Sequence, residues 1–421
     1  MRSTQRRPRR RPLLAVGLAL ALLAGACTSD TGSDASSPTT ATGAAPDSGD
    51  EETTTTEPGP VELTEGDFYA VPDPLPEGEH GTLIRYQEVS PTSVAGAVTY
   101  RVMYRSESLE GDPIAVTGIV VVPEGDAPAG GRPLLTVAHG TTGVADECAP
   151  SKEPGGELGL ASSVTDEGWL VAVTDYEGLG TPGRHPYLVG ESEGRSAVDA
   201  ILAAGQLPNA DPGQRLAVAG YSQGGHGALW AGQVAEEWAP DLDLVGTFAG
   251  APATEMGLIL LGAPTGFLFL IVAGFGAAYP EAEASTFLTP TGVERLSAVD
   301  EGCTGDVFGA VSDVAKSDLV QDGAHLKPPW PALAEANDPG RVKTPDPILV
   351  IHSAADSTVP IALSDILVQR MCGLGQAVER RVLTAGEDHV GAAPGAYRDG
   401  LDWLKARMDD EPLTTDSCPT G

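Results

Sequence analysis

Basic residues are scarce in this chain. Its 421 residues hold 25 Lys and Arg against 59 Asp and Glu, a net charge of −34 at neutral pH. Six of those bases, Arg2, Arg6, Arg7, Arg9, Arg10 and Arg11, crowd into the first eleven residues, leaving 19 bases against the same 59 acids. A body that acidic repels phosphate backbones and anionic headgroups, so nucleic acid is excluded as a partner. Aromatic residues make up only 5%, and Cys occupies only five positions. There is no H-E-x-x-H sequence and no closely spaced Cys pair, so neither a metal nor a cofactor is predicted. Apolar residues, at 41%, are not lacking, and they exclude a wholly disordered chain. The length leaves room for two or three domains, or for one large domain with an insertion.

The arginine cluster is followed by the apolar run 13–24 and by Gly25-Ala26-Cys27. These are the basic region, short apolar region and small-residue cleavage site of an export signal over residues 1–26. The apolar run is too short for a comfortable membrane span. Leu22-Leu23-Ala24-Gly25-Ala26-Cys27 resembles a bacterial lipobox, in which the Cys becomes the lipidated N-terminus; ordinary cleavage after Ala26 is the alternative. Cysteine parity favours lipidation. With Cys27 carrying lipid, Cys148, Cys303, Cys372 and Cys418 form an even set that can close two disulfides in an oxidising compartment. Residues 28–60 are Ser, Thr, Asp, Glu, Gly, Ala and Pro, with seven acids, no base and no large apolar side chain. Residues 27–60 are therefore predicted to be a flexible, self-repelling tether. The expectation is an exported protein, lipid-anchored at the outer face of the membrane or secreted.

Residues 61–421 read as one domain in which strands alternate with helices. Residues 96–105 alternate apolar and polar, and 114–123 are rich in β-branched side chains; both read as opening antiparallel strands. The apolar runs 133–139, 169–174, 216–220, 244–248 and 347–351 have the length and continuity of parallel strands buried on both faces. Helical patterns cover 191–207, 223–238, 361–372 and 396–408, and a further strand covers 380–383. The alternation predicts an α/β fold with a mostly parallel central sheet. Residues 258–279 carry no charge and are long enough for a membrane helix. A span there would put the candidate residues below on opposite sides of a bilayer, so the run reads as the apolar part of an inserted cap.

Gly220-Tyr221-Ser222-Gln223-Gly224 is a G-x-S-x-G sequence between the strand 216–220 and a helix opening on small residues. That context makes it a candidate nucleophile elbow. The backbone at such a Ser is strained, the flanking glycines avoid steric clash, and the hydroxyl meets a helix N-terminus that favours anionic intermediates. In this architecture the chain order is Ser, acid, His. Of the seven His, only His325, His352 and His389 follow at sufficient distance. His325 lies in the predicted cap, and His352 ends a strand and packs beneath the site. His389, in a loop between residues 380–383 and the last helix, is the candidate general base. Asp356, beyond the carboxyl end of the strand 347–351, is the candidate acid, with Glu387 second. Asp346 falls at the other end of that strand, Asp365 inside a helix, and Asp388 too near His389 to orient its ring. The backbone N–H of Gln223 would donate to a developing oxyanion, joined by Thr141, or failing that Thr142, from the loop after residue 139. Gly178-Leu-Gly180-Thr-Pro-Gly183, with Asp199 downstream, resembles a dinucleotide-binding loop, but Arg184-His-Pro-Tyr-Leu opens no helix, so that reading fails.

Several segments together resemble the secretory lipases, α/β-hydrolases that include fungal enzymes of the Candida antarctica lipase A type and many actinobacterial members. They are Phe68-Tyr69 with Pro72 and Leu75-Pro76, Gly81-Thr82-Leu83-Ile84, His139-Gly140-Thr141-Thr142-Gly143, Cys148-Ala-Pro-Ser151, Thr174-Asp175-Tyr176-Glu177-Gly178-Leu-Gly180, the segment 220–225 and the Asp356 loop. They span about residues 68–418. The resemblance implies an α/β-hydrolase fold with a mainly helical cap at about 253–342 and two disulfides, Cys148–Cys303 and Cys372–Cys418. The activity it implies is hydrolysis of a small-molecule or lipid ester through an acyl-enzyme on Ser222, by a protein expected to be monomeric. The same triad would serve a peptidase or an acyltransferase, and a degenerate pocket would serve an envelope lipoprotein that binds an apolar ligand without catalysis.

Overall fold

The apolar runs of the sequence become strands of one sheet, as seen in a computed structural model that describes residues 59–90, 94–153 and 163–418. The signal, Cys27 and the tether up to residue 58 lie outside the described residues. In chain order the strands are β1 (Val61–Glu62), β2 (Leu83–Glu88), β3 (Ala97–Glu107), β4 (Pro113–Pro123), β5 (Arg132–Ala138), β6 (Leu170–Thr174), β7 (Pro212–Tyr221), β8 (Asp243–Gly250), β9 (Ile348–Ser353) and β10 (Val378–Leu383). They lie side by side in the order β1-β2-β3-β4-β6-β5-β7-β8-β9-β10. Pairing is antiparallel from β2 through β4 to β6, and parallel from β6 to β10. This is the α/β-hydrolase arrangement, with a mostly parallel sheet and an antiparallel flank. The short β1 and β2 add to the two opening strands that the sequence pattern predicts.

Burial explains the strand patterns. Every residue of β6 and β9 is buried, as continuous apolar runs demand. Along β3 the alternation is lost at Val102, Met103 and Tyr104, all fully buried. Val102 and Tyr104 join the cluster around Val198 and Ile201 on one face, while Met103 packs with Phe68 and Ala115 on the other. The helices α1 (Gly190–Ala204) and α2 (Gln223–Trp238) cover the first face. Their contact is close because it is built of small residues: a Cβ on Gly194 would meet the Trp230 backbone at 2.9 Å.

Between β8 and β9 the chain adds no strand to the sheet and forms helices instead: α3 (Met256–Gly262), α4 (Thr265–Ala278), α5 (Pro290–Arg295), α6 (Thr304–Val311), α7 (Lys316–Leu319) and α8 (Trp330–Ala336). The uncharged run therefore breaks into α3 and α4 at Ala263-Pro264. Among the described residues no helix is long and apolar enough to cross a membrane. α4 is apolar on all sides because it is packed on all sides: Phe269, Ile271 and Phe275 are fully buried with Phe287 and Trp330.

Two helices follow the insertion, α9 (Ile361–Gly373) and α10 (His389–Met408). α10 lies on the second face of the sheet, where Tyr397, Leu401 and Trp403 pack with Phe248 and Ile351. Its start corrects the sequence reading: His389 is its first residue, not part of a loop before a helix at 396. The Asp388 carboxylate caps it by accepting from the Gly391 N–H at 2.8 Å, and Pro394 inside it forfeits one backbone bond. Disulfides join Cys148 to Cys303 and Cys372 to Cys418. The first ties the helical insertion to the loop after β5, alongside a bond from the Thr304 N–H to the Thr142 carbonyl at 2.9 Å.

Candidate active site

Ser222 stands at the junction of β7 and α2 with φ 61° and ψ −120°, a left-handed backbone that costs a non-glycine residue energy. The sequence around it leaves no other residue choice. A Cβ on Gly220 would sit 1.9 Å from the Gly224 carbonyl, and one on Gly224 would sit 2.0 Å from the Ala138 carbonyl. The turn is thus tight enough to aim the Ser222 hydroxyl away from the sheet. It also leaves the Gln223 N–H among the first amides of α2, which have no acceptor within the helix.

The structure brings His389 and Asp356 to that hydroxyl. His389 Nε2 lies 2.9 Å from Ser222 Oγ, and His389 Nδ1 lies 2.6 Å from Asp356 Oδ2. Asp356 follows β9, and its other oxygen accepts from the Thr358 and Val359 N–H groups at 2.9 Å each. His352, fully buried at the end of β9, adds a contact from Nε2 to Asp356 Oδ2 at 3.2 Å. Burial by itself would raise the Asp356 carboxyl. The hydrogen bonds from His352 and His389 outweigh it and hold the group below the ordinary carboxylate range. An ionised Asp356 requires the proton on His389 Nδ1, which leaves Nε2 to accept the Ser222 hydroxyl proton. The Tyr221 hydroxyl donates to the His389 carbonyl at 2.7 Å, and Ser353 Oγ donates to the Glu387 carbonyl at 2.6 Å. These bonds fix the start of α10 against the elbow. Glu387 takes part through its backbone, and Asp346 bonds Thr247 Oγ1 at 3.0 Å before β9, away from His389.

Thr141 follows β5, and its hydroxyl lies 2.8 Å from the Tyr187 hydroxyl. The loop it belongs to is anchored by His139, whose ring spans the carbonyls of Gly140 and Asp175 at 2.6 and 3.2 Å. A cavity of about 320 Å³ opens over Ser222 and Gln223. Its walls come from Tyr187 and Leu188, from α3 and α4 through Ile259, Gly262, Phe267 and Ile271, and from Val359 and Leu363. An uncharged, mostly apolar wall, with the hydroxyls of Tyr187, Ser357 and Thr358 beside that of Ser222, suits an apolar chain attached to a reactive carbonyl.

Three groups at the site escaped the sequence reading: Tyr187, Glu193 and His226. Glu193 and His226 are fully buried and 2.6 Å apart. Burial disfavours a charge on His226, but the Glu193 carboxylate outweighs it and raises the imidazole above its ordinary value. The one signal in the sequence is position: His226 is one turn beyond Ser222. Glu193 carried none, because it reaches the site from α1. The Gly178–Gly183 segment holds no phosphate cradle, since the next helix begins only at Gly190 and Asp199 is spent on His80, Ser106 and Trp238. Among the described residues no three His, Cys, Asp or Glu side chains converge as a metal would require.

A family model described as "Secretory lipase" matches residues 155–416. The chain is 26% identical over 390 residues to lipase A of Arthroderma benhamiae, covering 83% of this chain and 80% of that one. It is 27% identical over 388 residues to a probable inactive lipase of Mycobacterium tuberculosis, covering 84% of each. Its fold superposes on the crystal structure of Candida antarctica lipase A in its closed state with a TM-score of 0.68, at 22% identity over 80% of this chain and 84% of that one.

Proposed function

The chain belongs to the secretory lipase family and is a serine ester hydrolase, and we propose that it works through an acyl-enzyme on Ser222. The observation that carries this reading is the continuous bonding from Ser222 Oγ through His389 to Asp356 at the floor of an apolar cavity. In this mechanism His389 Nε2 takes the hydroxyl proton as Ser222 Oγ bonds to the ester carbonyl carbon. The resulting oxyanion is met by the Gln223 N–H and by Thr141. Collapse breaks the ester C–O bond, and the proton on His389 passes to the leaving alkoxide. Water, deprotonated by the same imidazole, then releases the acid and restores Ser222. Asp356 holds the ring in its tautomer and stabilises the imidazolium.

The acyl part of the substrate occupies the cavity under α3 and α4, so the substrate class is an ester of an apolar acid, a lipid ester among them. The insertion at about 253–342 acts as the cap of one domain over 61–421. The chain is exported and acts as a monomer, with residues 27–60 as a tether and Cys27 as the lipid-bearing residue. The even set of four remaining Cys, all in disulfides, supports that role for Cys27.

Reaction with a fluorophosphonate probe tests the proposal. Wild type is expected to be labelled and Ser222→Ala not, with hydrolysis of a nitrophenyl ester panel lost in the same variant. A folded wild type that is not labelled would instead match the inactive designation of the mycobacterial relative, and hydrolysis retained by Ser222→Ala would remove Ser222 from the reaction.

A further inference from the structure

Beneath the elbow lies one buried carboxylate with a full set of partners from three directions. Glu193, in the first turn of α1, is fully buried. Its Oε1 accepts from Gln223 Nε2 at 2.9 Å and from the Leu188 N–H at 3.2 Å. Its Oε2 lies 2.6 Å from His226 Nδ1. The opposite ring nitrogen of His226 faces the Asn337 carbonyl at 2.8 Å and so donates to it. A carboxylate removed from water is tolerated only when its acceptor sites are filled in this way.

These partners lead to the two segments assigned to the oxyanion, Gln223 directly and Thr141 by way of Tyr187. On one side, Gln223 supplies the backbone donor, and its side-chain amide is held twice, by Glu193 and by His185 Nε2 at 2.9 Å. His185 accepts there because its Nδ1 donates to the Glu177 carbonyl at 2.9 Å; burial pushes its pKa down to about 4, so the ring is neutral. On the other side, Leu188, at φ 57°, is anchored to Glu193 directly after Tyr187, whose hydroxyl bonds Thr141. One side chain therefore holds the Gln223 segment directly and the Thr141 loop at one remove, through the Tyr187 hydroxyl.

We propose that Glu193 is a positioning residue that sets the spacing between the Gln223 and Thr141 arms of the oxyanion hole. This rests on the acyl-enzyme reading. The role needs the acceptor geometry of Glu193 and not its charge. A glutamine at 193 can accept from Gln223 and Leu188 through its oxygen and donate to His226 Nδ1 through its amide. A leucine keeps the bulk and loses every bond, so the two arms relax independently.

The experiment compares wild type, Glu193→Gln, Glu193→Leu and Tyr187→Phe on a nitrophenyl ester and on its thionoester. The thiocarbonyl is the poorer hydrogen-bond acceptor, so the ester-to-thionoester rate ratio reports on the oxyanion donors. Glu193→Leu is expected to lower kcat ~50-fold with KM within about threefold, below the ~10²–10³ of losing a donor outright, and to move the rate ratio towards one. Glu193→Gln is expected to keep kcat within about fivefold and to keep the wild-type ratio. Tyr187→Phe cuts only the Thr141 link and should lower both kcat and the ratio by about fivefold to tenfold, which keeps the test alive if Glu193→Leu does not fold. Wild-type kcat and ratio in Glu193→Leu, or in Tyr187→Phe, would overturn the proposal. So would equal losses in Glu193→Gln and Glu193→Leu, which would assign the effect to charge. A wild type that neither hydrolyses ester nor takes up the fluorophosphonate would instead overturn the acyl-enzyme reading on which the proposal rests.

Discussion

Replacing Gly262 with Val tests whether the acyl chain runs through the cavity above Ser222. Gly262 ends α3 and shares the cavity wall with Phe267 and Ile271. A Cβ built on it meets no atom within 4 Å, and its φ is not in the left-handed region. The substitution therefore creates no clash, and removing a glycine from a helical residue offsets the small cost of a β-branched side chain. The added side chain takes the room of about three acyl methylenes. At ~0.8 kcal/mol per buried methylene, the transition state for a long chain loses roughly 2.4 kcal/mol, which is a ~50-fold loss in kcat/KM. Chains too short to reach residue 262 lose nothing. The assay is kcat/KM across nitrophenyl esters of increasing chain length, with a thermal melt to show that the variant folds. A break in the profile at one chain length is expected. Equal loss at every length, or no loss at any, would refute the placement of the acyl chain.

Asp356→Asn keeps the shape of the acid but loses the acceptor that fixes the His389 tautomer, so kcat should fall by ~10³–10⁴; a near-normal kcat would remove Asp356 from the mechanism. Burial raises the Asp346 carboxyl to about 6, and its Oδ1 is buried without a partner. A raised carboxyl pKa means that the folded state favours the protonated form. Its stabilisation is therefore complete below about pH 4 and is lost as the pH rises through about 6. Asp346→Asn should accordingly unfold like wild type at pH 4 and be more stable at pH 8 by ~1–2 kcal/mol. Equal denaturant midpoints at pH 8 would contradict that. The Cys372–Cys418 disulfide closes a separation of 46 residues, for which the chain-entropy account gives ~4 kcal/mol. Cys372→Ser combined with Cys418→Ser should lose a large part of that in urea unfolding while hydrolysing esters at low temperature, and an unchanged midpoint would refute it.

Much of the site was legible because its signals are local or ordered along the chain. The elbow is a five-residue sequence in which Gly220 answers to Gly224 within the same turn, while Gly224 answers to Ala138 at the end of the neighbouring strand β5. Chain order and strand ends singled out His389 and Asp356 from the other candidates, and the two lie 2.6 Å apart. The start of α10 was less legible. Gly391, Pro394 and Gly395 have poor or broken helical character, and the turn holds because Asp388 caps it and Ala392 and Tyr397 are buried behind it. Glu193 and Tyr187 were not legible at all. A Glu in an amphipathic helix pattern reads as a solvated residue, and nothing in its neighbours along the chain announces a buried acceptor site.

The sequence by itself determined the alternation of strands and helices, the elbow and the order of the reacting groups, because period, turn sterics and chain order are properties of the backbone. Tertiary structure decided which donors hold the Asp356 carboxylate, how the uncharged run 258–279 is divided and covered, and which groups the buried Glu193 meets. Each of those depends on desolvation and on donors arriving from distant elements. Asp356 is favoured over Glu387 because four N–H groups converge on its two oxygens. The uncharged run packs because Pro264 divides it and Phe287 and Trp330 cover it. Glu193 meets Gln223 and His226 because α1 carries it under a helix, α2, that begins some thirty residues later in the chain.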